Sequence, residues 1–210
     1  MIRAERVSKT FSSQVALKDV SFKIEKEKVA VLGKNGAGKT TLLKIIAGIL
    51  RPSHGRMYVF DSDPAKDPEV RRKIGAVFQN PMLYSELTVE ENLKFFSKLY
   101  GCELNEEILE ILDIKKKMNF KISELSAGWV KRISIAKAFM HDPKIVLIDE
   151  LPALDFEGKS RVFDLLKKFD CLIYVTHETE ELKFFNRFLV LRDGKLVYDG
   201  RSYDEAISFY

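Results

Sequence analysis

The chain reads Gly33-Lys34-Asn35-Gly36-Ala37-Gly38-Lys39-Thr40 at the point that decides its fold. The compact apolar run Val29–Gly33 predicts a buried strand that leads into this stretch, and Lys39–Ala47 predicts a helix that follows it. A strand, a glycine-rich turn and a helix in this order are the setting in which the pattern G-x-x-x-x-G-K-S/T binds phosphate. A glycine-rich turn that matches by chance is the alternative, and both flanking elements argue against it.

Each residue type in this turn has a chemical use at a phosphate group. Glycines let the backbone pass close to phosphate oxygens and aim successive N–H groups at them. The N-terminus of the following helix adds partial positive charge. Lys39 can neutralise the outer phosphates of a nucleotide, and the Thr40 hydroxyl can ligate Mg²⁺. The predicted nucleotide-binding residues are Gly33, Lys34, Asn35, Gly36, Ala37, Gly38, Lys39, Thr40 and Thr41.

A second motif supplies two carboxylates. The apolar run Ile145–Ile148 predicts a buried strand that ends at Asp149 and Glu150. Ligands of parallel sheets bind at the carboxyl ends of the strands. We therefore expect Asp149 to hold Mg²⁺ through a water, and Glu150 to polarise the water that attacks the γ-phosphate. A strand that merely ends in solvated acids is the alternative, and the glycine-rich turn makes it the weaker one.

The remaining patterns predict strands on both sides of a helical stretch. Thr88-Val89-Glu90-Glu91 has the form of a capping box that opens a helix, and further helices are predicted near Glu106–Leu112 and from Ser126 to Met140. The α/β alternation returns after Pro143. The fold class predicted is therefore α/β, a mainly parallel sheet with a helical insertion at about residues 80–140. The other predicted strands are Ile2–Val7, Ala16–Ile24, Arg56–Phe60, Ile74–Phe78 and Leu172–Val175, with a hairpin of Arg187–Leu191 and Lys195–Asp199.

Composition fits one globular domain. The chain has 210 residues, of which 46% are hydrophobic and 31% charged, a balance that excludes disorder. The charge surplus of +4 is scattered along the chain, which argues against a nucleic-acid partner. Cys102 and Cys171 lie far apart without metal-ligand spacing, as thiols of a reducing compartment do. The start lacks the apolar stretch of a signal peptide, and no apolar run reaches the roughly 20 residues that span a bilayer. We therefore expect a soluble cytoplasmic protein that reaches a membrane only through a partner chain.

In order and spacing, these motifs resemble the nucleotide-binding subunits of ATP-binding cassette (ABC) transporters over essentially the whole chain. The most specific stretch is Leu125-Ser126-Ala127-Gly128-Trp129, which resembles the signature L-S-G-G-Q of that family. The resemblance implies a P-loop NTPase core with a mainly parallel sheet, N-terminal antiparallel strands and a helical subdomain. It also implies one ABC ATPase domain over residues 1–210, with its core at 1–79 and 141–210 and its helical subdomain at about 80–140.

The resemblance assigns roles to further residues. It implies that Phe11 stacks on adenine, that Gln79 contacts Mg²⁺ and the attacking water, and that His177 touches the γ-phosphate. It implies that the signature turn binds the ATP held by the opposite subunit of a dimer. The cofactors implied are ATP and Mg²⁺. The expected catalytic residues are Glu150, His177 and Gln79, the metal ligands Thr40, Gln79 and Asp149, and the signature residues in trans Ser126, Ala127 and Gly128.

Three departures from the family pattern are visible. Ala127 replaces a glycine, a change that is tolerable where φ is negative. Trp129 replaces a glutamine, and its indole offers one donor and no acceptor. The stretch Leu151–Asp155 resembles the family segment P-T-S-A-L-D but is one residue short. We therefore predict a slower or asymmetric motor than one with the full pattern.

The predicted function is ATP hydrolysis that powers transport across a membrane through a separate permease subunit. The stretch Leu87–Leu93, with Leu99-Tyr100-Gly101 beyond it, resembles subunits of exporter-like systems. A groove near Gln79–Leu87 is expected to receive a helix of the permease. The expected partners are an integral membrane permease and a second ATP-binding subunit, with the chain peripheral on the inner face of the cell membrane. The alternatives are a soluble ATPase without a transport role, in assembly or regulation, and a weakly hydrolysing regulatory partner in a heterodimer.

Overall fold

The computed structural model describes residues 1–151, 154–176 and 178–209. One predicted catalytic residue, His177, lies outside the described residues. So do Pro152 and Ala153 of the segment that follows Glu150. The statements below concern the described ranges.

Three N-terminal strands form a small antiparallel sheet. They are β1 (Ile2–Phe11), β2 (Gln14–Ile24) and β4 (His54–Val59), arranged in the order β2-β1-β4. The register between β1 and β2 shifts near Val7, which is how an irregular strand pair bends and twists. This sheet corresponds to the predicted antiparallel strands, with β1 four residues longer than expected.

Six strands form the central sheet, in the order β5-β6-β7-β3-β8-β9. The first five are parallel, and β9 returns antiparallel to β8 as the predicted hairpin. Val175 pairs with Val31 on one side and with Asp149 on the other. The turn after β3 and the carboxylates after β6 therefore reach the same sheet edge, one strand apart. The strands are β3 (Lys28–Leu32), β5 (Ile74–Val77), β6 (Ile145–Asp149), β7 (Leu172–Val175), β8 (Arg187–Arg192) and β9 (Lys195–Gly200).

Seven α-helices are present in the described ranges, with three short 3-10 helices at Lys115–Lys117, Ile122–Glu124 and Glu181–Phe184. The predicted capping box is confirmed: the Thr88 N–H donates to Glu91 Oε2 at 2.8 Å, and the Glu91 N–H donates to Thr88 Oγ1 at 3.2 Å. The helices are α1 (Lys39–Ile46), α2 (Pro68–Arg71), α3 (Val89–Tyr100), α4 (Glu106–Ile111), α5 (Ala127–Phe139), α6 (Phe156–Leu166) and α7 (Tyr203–Phe209).

Two apolar clusters cover the two faces of the central sheet. One contains α1 and the inner side of the N-terminal sheet. The other runs without a break from the sheet into α3, α4 and α5, the helices between β5 and β6. The predicted division into a core and a helical subdomain at about residues 80–140 stays a prediction, since this cluster spans both. Among the helices of the described ranges, none is both long enough and apolar enough to cross a membrane.

Candidate nucleotide site

The glycine-rich turn joins β3 to α1 through two positions that exclude a side chain. Gly38 caps α1 with φ +102°, and a Cβ there would lie 2.4 Å from the Ala16 carbonyl oxygen. Gly33 has φ +145°, and its Cβ would lie 2.3 Å from the Leu191 carbonyl oxygen. Only glycine adopts these backbone angles without strain and fits this close approach. The turn is thereby held against β2 and β8, with the N-terminus of α1 facing the sheet edge.

Lys39, the first residue of α1, is buried although it carries a charge. Its ammonium group donates to the carbonyl oxygens of Gly33 and Lys34, the latter at 3.1 Å, and its side chain is 6% exposed. Burial lowers the pKa of Lys39, while the carboxylates of Glu150 and Asp149 act in the opposite direction. The ammonium group is therefore fixed inside the turn, in the field of both acids.

Thr40 and Asp149 meet across the sheet edge. The Thr40 hydroxyl donates to Asp149 Oδ2 at 2.8 Å, and Asp149 is 1% exposed. Burial raises the pKa of Asp149, and the Thr40 hydrogen bond opposes that rise. A hydroxyl and a carboxylate held together at a phosphate-binding turn are the hard oxygen donors that Mg²⁺ prefers. The two residues present therefore fit a magnesium ion.

Glu150 leaves β6 in an unusual backbone conformation. Its φ is +60°, in the left-handed region that few non-glycine residues adopt. Its N–H donates to the Val175 carbonyl oxygen at 3.2 Å, which ties the strand end to β7. A strained residue at the carboxyl end of a parallel strand is a frequent feature of functional sites.

Lys39, Thr40 and Glu150 line one cavity of about 500 Å³, whereas the buried Asp149 reaches it only through its hydrogen bond with Thr40. Gln79 follows β5, the neighbour of β6, and Phe11 lies at the end of β1 with 43% of its surface exposed. The structure thus brings Phe11, Gln79 and Glu150 from distant parts of the sequence to the cavity at the glycine-rich turn, and their roles there stay predictions. The residues that line the cavity are Phe11, Gln14, Ala16, Asn35, Gly36, Gly38, Lys39, Thr40, Thr41, Gln79 and Glu150.

The signature residues lie elsewhere. Ser126 is the N-cap of α5, and Ala127 is its first helical residue, so the replacement of glycine there creates no strained φ. With Gly128 they line a second cavity of about 580 Å³. Within the described ranges the two cavities have no lining residue in common. Within one chain the signature turn therefore does not line the cavity at the glycine-rich turn.

Lys131 is a candidate functional residue that the sequence motifs did not identify. It lies in α5 at 6% exposure, and its ammonium group donates to the Phe78 carbonyl oxygen at 3.1 Å. Burial lowers its pKa, against the carboxylates of Asp149 and Glu150. Lys131 therefore places a cation near both acids and ties α5 to the strand end that carries Gln79. Its spacing from the buried residues Ile135 and Phe139, one and two helical turns away, is the signal that could have identified it.

A second buried lysine makes stability depend on pH. Lys137 in α5 donates to the carbonyl oxygens of Pro81 at 2.7 Å and Met82 at 3.2 Å, and burial lowers its pKa to about 8. Between about pH 8 and about pH 10.5 the unfolded chain then binds more protons than the folded one, so the free energy of unfolding rises with pH. We expect the free energy of unfolding of the wild type to rise by about 2 kcal/mol between about pH 7.5 and about pH 10, relative to that of Lys137→Met.

Urea unfolding of both proteins across that pH range measures the effect of Lys137. Lys144→Met, which changes an exposed lysine, is the matched control and should leave the pH profile of the wild type unchanged. Parallel profiles for wild type and Lys137→Met would show that the ammonium group of Lys137 is not desolvated.

Comparisons with known proteins agree with this geometry. A family model described as ABC transporter matches residues 17–153, more than half of the chain. The chain is 36% identical over 201 residues to the ABC transporter ATP-binding protein NatA of Bacillus subtilis (strain 168), covering 88% of this chain and 81% of that protein. It is 37% identical over 210 residues to the spermidine/putrescine import ATP-binding protein PotA of Protochlamydia amoebophila (strain UWE25), covering 93% of this chain and 56% of that protein.

Solved structures give the same result. The dimeric ATP-binding cassette MJ0796, in a post-hydrolysis state bound to ADP and Pi, is 29% identical with a TM-score of 0.87, covering 96% of this chain and 98% of that one. An ATP-binding subunit of an ABC transporter is 26% identical with a TM-score of 0.89, covering 100% of this chain and 93% of that one. The predicted family and fold class are confirmed. The chain belongs to the ABC transporter family, as one of its ATP-binding cassette ATPases.

Proposed function

We propose that this chain hydrolyses ATP to power transport across a membrane through a separate permease subunit. One observation carries the proposal: Lys39, the Thr40–Asp149 pair, Gln79 and Glu150 converge on one sheet edge beside the glycine-rich turn. That arrangement offers positive charge, magnesium ligands and a carboxylate to a single triphosphate. A fold alone does not imply a function, but this set of groups is specific to phosphoryl transfer.

The residues divide the work of hydrolysis as follows. Backbone N–H groups of residues 34–41 and the Lys39 ammonium group hold the phosphates, and Phe11 stacks on the adenine. Glu150 accepts a hydrogen bond from the attacking water and aligns it with the γ-phosphorus atom, and Gln79 holds the same water from the segment that follows β5. Thr40, Gln79 and Asp149 would hold Mg²⁺, which would neutralise charge on the phosphate oxygens. His177 is proposed as a further contact of the γ-phosphate on the strength of the family motif.

The proposed working unit contains two ATP-binding subunits. Ser126, Ala127 and Gly128 line a cavity separate from the nucleotide cavity of their own chain, so they are available to another copy. In a head-to-tail pair the N-terminus of α5 would direct its N–H groups at the ATP of the partner. Binding of two ATP molecules would then close the pair, and hydrolysis with product release would reopen it.

An exposed aromatic surface supports a permease as the other partner. Tyr84 and Phe95 are 51% and 44% exposed, and their rings meet edge to face at 5.2 Å. Phe96 and Tyr100 continue the row along α3. Lys137 holds the loop beside it through the carbonyl of Pro81. Exposed apolar patches of this kind mark sites of protein association. We propose that a helix of the permease lies here and that this holds the chain to the inner face of the cell membrane.

The direction of transport is proposed as export, from the stretch Leu87–Leu93. Among the relatives, the name of PotA describes import, whereas LnrL of Bacillus subtilis (strain 168), 31% identical over 221 residues, is named a linearmycin resistance ATP-binding protein. The alignment with LnrL covers 97% of this chain and 70% of that protein.

The test is ATP turnover measured with and without the membrane protein that co-purifies from detergent-solubilised membranes. We expect turnover by the purified chain, and a further increase once the membrane protein is reconstituted with it in vesicles. Turnover with no polytopic membrane protein bound would favour the soluble non-transport alternative. Binding of ATP without turnover in either preparation would favour the regulatory alternative and contradict the proposal.

A further inference from the structure

Trp129, the single tryptophan of the sequence, lies half-buried in the first turn of α5. Arg132, one helical turn further on, has its Cζ atom 4.8 Å from the centroid of the indole ring. The ammonium groups of Lys116 and Lys117 lie 5.2 Å and 5.8 Å from the same centroid. All three cations are within the distance of about 6 Å at which the face of an indole attracts positive charge. The ring therefore links α5 to the 3-10 helix Lys115–Lys117.

Arg132 extends this link to α6. Its side chain is 12% exposed, and Nη2 donates to Asp155 Oδ1 at 3.2 Å. The same Oδ1 accepts the Gly158 N–H at 2.8 Å, so Asp155 caps α6 while it binds Arg132. The Gly158 N–H, and then the guanidinium group, lower the pKa of Asp155. The carboxylate is therefore held in its charged form between two helices.

Gly158 lies directly against this contact. A Cβ at this position would lie 2.7 Å from Asp155 Oδ1 and 2.9 Å from Arg132 Nη2. Glycine in a helix costs about 1 kcal/mol relative to alanine, and here it leaves room for the ion pair. The crowding of three cations around one ring is also offset, because Lys116 pairs with Asp113 as Arg132 pairs with Asp155.

We propose that Trp129 is a positioning residue for ATP hydrolysis: its ring holds Arg132 against Asp155 and so fixes the turn Ser126–Gly128 relative to the start of α6. The proposal rests on the proposed function, in which Ser126–Gly128 serves the nucleotide of a second copy. Trp129 directly follows that turn in the chain, and Asp155 lies five residues after Glu150. Glutamine, the residue of the family signature, has no aromatic face and could hold Arg132 only through its amide oxygen.

A double-mutant cycle on turnover tests the link. We expect Trp129→Ala to lower kcat about tenfold while KM for MgATP stays within about twofold, and Trp129→Phe to restore most of the rate. Because both residues act through one contact, the double variant Trp129→Ala/Arg132→Ala should be no slower than Arg132→Ala alone. Phe120→Ala, which removes the other ring beside Lys117, is the control and should retain the wild-type kcat. A double variant whose loss of kcat equals the product of the two single losses would overturn the proposal.

The emission of the single tryptophan gives a second readout that does not depend on catalysis. In the nucleotide-free chain, Arg132→Lys and Asp155→Asn should both shift the emission maximum of Trp129, since the first replaces the guanidinium group beside the ring and the second weakens its anchor. Circular dichroism would show that both variants are folded. Emission spectra that match the wild type in both variants would overturn the proposal even in an active ATPase. If both variants shift as expected but the wild-type chain does not hydrolyse ATP, the result would count against the proposed function alone.

Discussion

Glu150→Gln should lower ATP turnover by about 10³-fold while MgATP still binds, the range in which loss of a positioned general base falls. The amide has nearly the shape of the carboxylate, so the strand end at φ +60° and its hydrogen bond to Val175 are preserved. What changes is the acceptor of the water proton. The amide also removes one negative charge from the surroundings of Lys39 and Asp149. Binding of the triphosphate should therefore be equal to that of the wild type or tighter.

Turnover and binding of Glu150→Gln are measured separately, by phosphate release and by calorimetry with MgATP. Size-exclusion chromatography with MgATP tests the dimer, which should accumulate because hydrolysis no longer reopens it. Glu103→Gln, a change at an exposed glutamate, controls for the loss of a negative charge and should behave as the wild type does. Turnover within tenfold of the wild type would remove Glu150 from its proposed role.

Much of the fold could be predicted from the sequence, because the short apolar runs that indicate buried strands do form strands of the central sheet. The run before Gly33 and the run before Asp149 were predicted as strands of one parallel sheet, and both are strands of that sheet, with β7 between them. Strand ends were less accurate. β4 ends at Val59 rather than at Phe60, which has φ +50° and begins a turn. Such a change of backbone conformation leaves no mark in hydrophobic periodicity.

Three helices were missing from the prediction, for local reasons. α2 has only four residues, between its caps Asp67 and Arg72, too few for a helical period to show. α6 begins with an exposed phenylalanine and has Gly158 in its first turn, both unusual for a helix start. Its cap is Asp155, which the family resemblance had assigned to a segment rather than to a helix. α7 is likewise short.

The candidate site likewise contains contacts that the sequence could predict and contacts that it could not. Parallel strands place their carboxyl ends at one edge, so the meeting of Thr40 with Asp149 could be expected from two motifs. The contact of Lys131 with the Phe78 carbonyl joins residues 53 positions apart, and no local pattern encodes it. The same holds for the contact of Arg132 with Asp155, which depends on how α5 lies against α6. Motifs therefore identify the groups that meet the substrate, whereas the residues that hold those groups in place emerge only from packing.

Lys39→Met should lower the affinity for MgATP by about 100-fold, as expected for loss of one or two charge-assisted hydrogen bonds, and abolish measurable turnover. Methionine matches the length of lysine and carries no charge. The folded chain without nucleotide already buries this ammonium group, and burial lowers the pKa of Lys39. Removing the charge therefore removes a desolvation cost as well as the hydrogen bonds to Gly33 and Lys34.

We accordingly expect Lys39→Met to be at least as stable as the wild type in thermal unfolding without nucleotide, although it loses binding. That combination separates a functional lysine from a structural one, since substitutions at functional positions often preserve or increase stability. Calorimetry with MgATP and melting curves of the same samples measure both quantities, with Lys144→Met as the surface control. A variant that unfolds at a much lower temperature would mean that Lys39 serves the turn itself. A variant that binds MgATP as the wild type does would mean that the phosphates lie elsewhere, because no neutral thioether can replace an ammonium group at a triphosphate.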